Sequence, residues 1–353
     1  MADSYHISGI QQVGIGNPAV ATTWAYYRKN FGFDVPVFEE EAEAGLMLPY
    51  TGGQPHKRRA VLALNMNGGG GLEIWQYTER ELLWPKTPVL PGDLGIQVLK
   101  IKTRSLAEAE QDIKAKKLEV LAYSPSGDGK PAGLYLKDLY GNIVELTESP
   151  YWYKAKGGLY GGVAGVTIGV TDLKKAMDFY AGLLGFDRIL AEWEGEDAAL
   201  AAWAEKDYRY RRVLLERTAP YHGPFSPLLG PARIELIQVL DREPQKIFAK
   251  RYWGDPGFIH LCFDVVGMEA LQKKAEALGH PFTVDSAESF DMGEAAGRFA
   301  YVEDPDGTLI EFVETHKVPI LKKLNWYLNL KGRPPKKPLP RFMINALSLS
   351  RVK

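Results

Sequence analysis

Apolar and polar positions along the chain change period in a recurring way. In residues 258–266, Leu261, Phe263 and Val265 alternate with His260, Cys262 and Asp264, the period of a half-buried strand. The period then lengthens to that of a helix over 268–278, which stops at Gly279. Residues 172–184 carry the same signal. Asp172 is placed to cap a helix whose stripe is Ala176, Phe179, Tyr180 and Leu183, and Gly185 ends it. Leu261, Phe263 and Val265 should therefore face a helix, leaving His260 on the other face of its strand. Three strands can follow each helix, with Asp304-Pro305-Asp306-Gly307 and the 137–142 stretch as hairpin turns before the last one. The predicted module is strand, helix, then three strands.

This module occurs four times, as internal alignment shows. Gly92-Asp-Leu-Gly-Ile-Gln-Val98 aligns with Gly254-Asp-Pro-Gly-Phe-Ile-His260, which sets Val98 opposite His260. Gln12 precedes Tyr27, and Gly165 precedes Tyr180, by the same fifteen residues, so Gln12 and Gly165 are equivalent. Each copy closes on a strand bearing a glutamate: Glu73, Glu145, Glu235 and Glu311. Every module thus opens on one candidate ligand position and closes on another.

Composition narrows the class. With 353 residues and 45% apolar content the chain can bury two cores, and a net charge of −1 gives nucleic acid no electrostatic hold. A single cysteine excludes an internal disulfide framework and fits a reducing compartment, so a cytoplasmic location is expected. No basic start followed by an apolar run opens the chain, and no apolar run approaches a membrane span.

Four βαβββ modules with a ligand position on the first and last strand of each resemble the vicinal oxygen chelate superfamily. That group includes glyoxalase I, bleomycin-resistance proteins, methylmalonyl-CoA epimerase and extradiol dioxygenases. The resemblance covers about residues 7–315 and is most marked at Phe179–Phe186 and Asp304–Glu311. It implies an α+β fold in which modules pair into two open, cup-shaped mixed β-sheets with helices outside, each cup able to hold one divalent metal. On this expectation residues 1–150 (modules 1 and 2) form a first cup without metal, and 151–315 (modules 3 and 4) form the functional second cup. Residues 316–353 are then a basic, proline-containing tail docking on the body.

Carried over position by position, the resemblance makes Glu235, His260 and Glu311 the expected metal ligands, with Gly165 where relatives carry histidine. Glu235, Glu311 and Tyr301 are the expected catalytic residues. One imidazole and two carboxylates suit Fe, Mn, Ni, Co or Zn and leave positions open for a bidentate, oxygen-rich small-molecule substrate. The first cup offers Gln12, Glu73 and Glu145, with Val98 in the fourth place. A metal-dependent lyase or isomerase of glyoxalase type is expected, in a monomer or homodimer. Ring cleavage is the alternative and would require another histidine, such as His222; a binding protein of the bleomycin-resistance type is the other. Cys262 reads as a small buried hydrophobe.

Three stretches fall outside the repeat. Between Trp193 and Pro231, basic and aromatic residues interleave, either to close over a substrate or as a plain hairpin of strands at 198–203 and 212–215. The run Gly68–Gly71 lacks a phosphate loop's lysine and reads as a flexible hairpin turn. The last 38 residues carry ten Lys or Arg and no acid, leaving a body of about −11, with a short amphipathic helix expected over 320–330.

Overall fold

The computed structural model describes residues 4–124, 132–204, 206–287, 290–291, 296–321 and 326–352. Module 1 comprises β1 (His6–Gly16), α1 (Val20–Phe31), β2 (Val35–Glu43), β3 (Lys57–Leu64) and β4 (Gly71–Tyr77). Module 2 comprises β5 (Gly95–Thr103), α2 (Leu106–Ala115), β6 (Val120–Ser124), β7 (Gly133–Lys137) and β8 (Ile143–Glu148). Module 3 runs through β9 (Tyr160–Gly169), α3 (Leu173–Leu184), β10 (Arg188–Glu196), α4 (Ala198–Ala204), β11 (Arg209–Glu216), α5 (Ser226–Leu229) and β12 (Arg233–Val239). Module 4 contains β13 (Gly257–Val266), α6 (Met268–Ala277), β14 (Val284–Asp285), β15 (Phe290–Asp291), β16 (Ala296–Glu303) and β17 (Leu309–Leu321). The tail adds β18 (Trp326–Asn329) and α7 (Arg341–Ala346).

Local signals and local structure agree where the period was clear. In α3 the Asp172 carboxylate accepts from the Lys175 amide at 3.1 Å, and Gly185 leaves the helix at φ 72°, a left-handed conformation that suits glycine. Leu261, Phe263 and Val265 pack with Leu271 and Ala275 of α6, while His260 faces the other way into a cup. The apolar stripes of the helices and the backs of both sheets share one continuous core.

The strands form two curled, open mixed sheets. One has the order β14-β16-β17-β13-β1-β4-β3-β2, the other β10-β11-β12-β9-β5-β8-β7-β6. Module 1 therefore shares a sheet with module 4, and module 2 with module 3, rather than 1 with 2 and 3 with 4 as expected. Each sheet is joined by an antiparallel seam, β1 against β13 and β5 against β9. The reason is close fit at glycines. A Cβ on Gly14 would lie 2.4 Å from His260 Cε1, and one on Gly16 would lie 2.1 Å from the Asp255 carbonyl oxygen. Likewise Gly169 of β9 would meet the Asp93 carbonyl at 1.8 Å. The first strands of modules 1 and 3 are thus cut to particular partners.

Sequential modules are joined differently, through their helices. Tyr27 of α1 donates to Asp138 in the last turn of module 2 at 2.9 Å, and Tyr180 of α3 donates to Asp304 in the last turn of module 4 at 3.0 Å. Asp304 also accepts the Asp306 and Thr308 amides, and burial raises its carboxyl to about 6.

Three local expectations need correction. Residues 198–204 are helical: their alanine-rich sequence favours a helix, and Asp197 accepts the Ala199 amide at 2.8 Å. The hairpin beside the cup is instead β10–β11. Of the tail helix expected over 320–330, residues 322–325 lie outside the described residues, and Trp326–Asn329 form β18, which extends the first sheet by pairing with β17. The Gly68–Gly71 turn is packed shut, since a Cβ on Gly69 would approach the Gly162 backbone to 2.8 Å. Val318, Leu330, Leu339, Ile344 and Leu347 of the tail region are buried with Val35, Leu64, Met66, Tyr153 and Leu228. No helix among the described residues is long and apolar enough to cross a membrane.

The seam yields a direct check. Ile7 and Val265 are register partners on β1 and β13. In the double variant Ile7→Cys, Val265→Cys, mild oxidation is expected to give a peptide pair linked through residues 7 and 265, read by mass spectrometry. Absence of that link would rule out this pairing.

Candidate metal centre and its counterpart

The β1–β13 seam brings four side chains to the floor of one cup. Glu73 lies on β4, beside β1, and Glu311 lies on β17, beside β13. His260 Nε2 stands 3.2 Å from a Glu73 oxygen and 3.1 Å from a Glu311 oxygen. Ligand atoms of these three lie within 4.8 Å of one another, and all three residues are buried. Gln12 completes the ring, its amide 3.4 Å from both carboxylates. Neither His260 contact has hydrogen-bond geometry, and both ring nitrogens, like Gln12 Oε1, are buried without a hydrogen-bond partner.

Two buried carboxylates, an imidazole and an amide oxygen without a hydrogen-bond partner thus gather their donor atoms at one point. A divalent cation answers every one of these demands, and the mixed N/O donor set fits a borderline transition ion. Burial alone would lower the His260 pKa, but the carboxylates of Glu311 and Glu73 outweigh it and hold the imidazole up at about 9.

A cavity of about 370 Å³ opens above the cluster, walled by Phe38, Leu62, Trp75, Trp253, Phe299 and Tyr301. Trp253 stacks on His260 with ring centroids 5.9 Å apart, and Tyr301 meets it edge-on at 5.7 Å. Burial, with the nearby Glu311 and Glu73 charges, raises the Tyr301 hydroxyl well above its usual range, so it stays a proton donor. Cys262 is buried and facing Gln11, its thiol raised by burial and by Glu311.

Of the expected site residues, His260, Glu311 and Tyr301 meet here, and Glu235 does not. It lies on the other sheet, in the opposite cup. Glu73 takes the place expected for Glu235, and Gln12 the place expected to be vacant at Gly165. His222 is remote from the cluster; it packs edge-on to His6. One signal in the sequence pointed to this assembly: pooling modules 1 and 4 gives four complete ligand positions, whereas every other pooling leaves a gap or gathers fewer donors.

The second cup shows what fills such a floor otherwise. Val98 and Gly165 supply no ligand, and Gly165 cannot regain one, since at φ 156° its Cβ would lie 1.9 Å from the Arg233 carbonyl oxygen. Lys100, two residues beyond Val98, sends its ammonium between Glu145 and Glu235, with the Glu235 contact at 2.8 Å. Thr167 donates to Glu235 at 2.9 Å and Ser124 to Glu145 at 3.0 Å. Arg212 binds Glu235 at 2.7 Å and also pairs with Asp197. Burial works against its charge, but Arg212 and Lys100 hold the Glu235 carboxyl well below the usual range.

Comparison with known proteins follows the same architecture. The sequence family described as the Glyoxalase/Bleomycin resistance protein/Dioxygenase superfamily matches residues 162–312. That match covers modules 3 and 4, the middle and later part of the chain. Among solved structures, two variants of Zea mays glyoxalase I are similar over 88% of this chain, at 15% and 14% identity, covering 92% and 94% of their own chains with TM-scores of 0.53 and 0.54. A candidate dioxygenase from Bacillus subtilis is similar at 14% identity over 88% of this chain and 86% of its own, with a TM-score of 0.57. At these identities the likeness is one of fold. No curated protein matches in sequence.

Two lysines on one face of β5 should respond oppositely to removal. Lys100→Met leaves two buried carboxylates short of a partner and is expected to destabilise the fold by about 3–5 kcal/mol. Lys102 is buried with no hydrogen-bond partner, and burial pushes its amine down to about 8. Its folded pKa is below the unfolded value, so the folded state carries the full cost of the charge below pH 8. That cost fades between pH 8 and 10.5 as the folded amine deprotonates first. Lys102→Met is therefore expected to raise stability at pH 7 by roughly 3 kcal/mol, with the gain shrinking over that window. Urea melts at pH 7 and pH 10 read both signs.

Proposed function

We propose that this chain is a metal-dependent lyase or isomerase of glyoxalase type, acting on a small oxygen-rich substrate in the cup formed by modules 1 and 4. The observation that supports this most directly is the convergence of Gln12, Glu73, His260 and Glu311 beneath one cavity. These four would hold a divalent ion, which when bound supplies a Lewis acid for a substrate carbonyl or hydroxyl oxygen.

The chain's own groups divide the remaining work. Glu73 and Glu311 approach the floor from opposite sides of the seam, so either carboxylate can take a proton from one substrate carbon and return it to its neighbour. Tyr301 donates a hydrogen bond to developing negative charge on a substrate oxygen. Trp75, Trp253, Phe299 and Phe38 exclude water, which strengthens each of these interactions. The ion pair of Arg58 and Glu40, at 2.6 Å, stands among the cavity walls and offers polar contacts to the far end of the substrate. Ring cleavage would call for another imidazole, and the described residues bring only His260 to this cluster.

Elemental analysis of the purified chain is expected to give one transition metal per chain, not two, and His260→Ala is expected to lose it. Retention of the metal in that variant would refute the site. With metal retained, Glu73→Gln and Glu311→Gln are expected to lower solvent-deuterium exchange into α-hydroxycarbonyl compounds by about 10²-fold or more for the carboxylate that moves the proton. Equal exchange in wild type and both variants would rule out the proposed chemistry.

A further inference from the structure

The metal cup does not end at its aromatic walls. A second, smaller cavity of about 90 Å³ adjoins the cavity over the cluster and shares Gln11, Phe38, Leu62 and Val313 with it. Strand register shows which way it runs. Leu62 is the partner of Glu73 on one side and of Phe38 on the other, so it marks the level of the metal candidate. Along β3 the lining residues run from Arg58 through Leu62 to Leu64, which puts the Arg58–Glu40 pair and the second cavity on opposite sides of the cluster. Along β17 they run from Glu311 to Val313 and Thr315, and their register partners on β16 are Tyr301, Phe299 and Gly297. Charge therefore stops at Glu311. Two apolar side chains follow, and Gly297, with no side chain, leaves room at the third level.

No charged residue lines this inner chamber. Its two polar side chains, Gln11 and Thr315, are turned to Asp264, at 3.3 and 3.4 Å. The far side is built by parts outside the fourfold repeat: Phe225, Leu228 and Leu229 of the module 3 insertion, with Val318 and Leu347 of the tail region. Leu228, Val318 and Leu347 are buried in one cluster, so the chamber is closed there and its way in is from the metal cup. An apolar space that offers water no partner gains about fourfold in affinity for each methylene it buries. At 90 Å³ beside the 370 Å³ of the main cavity, the chamber suits a chain better than a ring system. We infer that the substrate carries an unbranched alkyl chain next to its oxygen-rich centre, and that the chain passes Phe38, Leu62 and Val313 into this chamber. The inference rests on the metal-centred reading of the same cup and adds the substrate class, an alkyl-substituted α-hydroxycarbonyl compound.

Calorimetric titration of the Co²⁺-loaded chain with acetohydroxamate, butyrohydroxamate and octanohydroxamate, one chelating head on chains of growing length, tests it. Affinity is expected to rise by about tenfold or more from the first to the last. Thr315→Phe, which fills the chamber, is expected to bind acetohydroxamate as the wild type does and to lose the gain of octanohydroxamate. Leu347→Ala, which widens the chamber on the tail side, is expected to carry the gain on to dodecanohydroxamate, which the wild type binds no better than octanohydroxamate. The inference is overturned if affinity is flat along the series in the wild type, or if it rises equally in a folded Thr315→Phe; should that variant not fold, an unchanged chain-length limit in Leu347→Ala overturns it. His260→Ala separates the two readings of this cup, since it is expected to weaken every member by one factor and leave the ratios between them. A wild type that takes up no Co²⁺ and binds the whole series as weakly as His260→Ala, with those ratios intact, would refute the metal centre and uphold the chamber.

Discussion

The antiparallel seam between β1 and β13 is the constraint on which the rest of the molecule depends. Main-chain hydrogen bonds alone set Gly14 across from His260 and Gln12 across from Cys262. The parallel neighbours β4 and β17 then bring Glu73 and Glu311 in from either side. A slip of one residue along this seam would turn Gln12 and Glu73 to the opposite face from His260 and Glu311 and break the cluster apart. The glycines that let the two strands approach so closely hold the register, because a larger residue at Gly14 would collide with the imidazole itself.

The same scaffold solves one electrostatic problem in two ways. Each cup floor gathers two buried glutamates, and two such charges need a cation within reach. In one cup the groups around them are the Gln12 amide and the His260 imidazole, whose pKa the two carboxylates raise, and the four could hold a metal ion. In the other the cation is covalently part of β5, with Arg212 as a second. The first arrangement keeps its donor atoms free of covalently attached cations. The second uses the charge to hold the structure together.

The sequence carried the module clearly and its pairing poorly. Period and capping identified α3 and α6, the turn at 304–307, and the inward face of His260, because these depend on neighbours within a few residues. Internal alignment found all four glutamates and Gln12. It could not say which modules share a sheet, since that depends on strand edges hundreds of residues apart and on whether a glycine meets a carbonyl or a side chain. Glu235 was accordingly assigned to the wrong partner, and Glu73 and Gln12 to a cup without function. Sequential modules do touch, through Tyr27 to Asp138 and Tyr180 to Asp304, but by helix-to-turn bonds that leave the strand edges free to pair elsewhere. The tail misled for another reason: its apolar spacing suited a helix, while the open edge of β17 offered a strand partner.

The nesting of modules 2 and 3 between 1 and 4 also sets an order of events. The β5–β9 seam closes a short stretch of chain, whereas the cluster of Gln12 and Glu311 closes one 299 residues apart in sequence. Loop closure and contact order both favour the inner sheet forming first, during synthesis, with β1 waiting unpaired until β13 has emerged. The inner cup, already holding its own cation, can complete without any ion. The outer cup exists only once β13 and β17 have emerged, so the cluster of Gln12, Glu73, His260 and Glu311 assembles last.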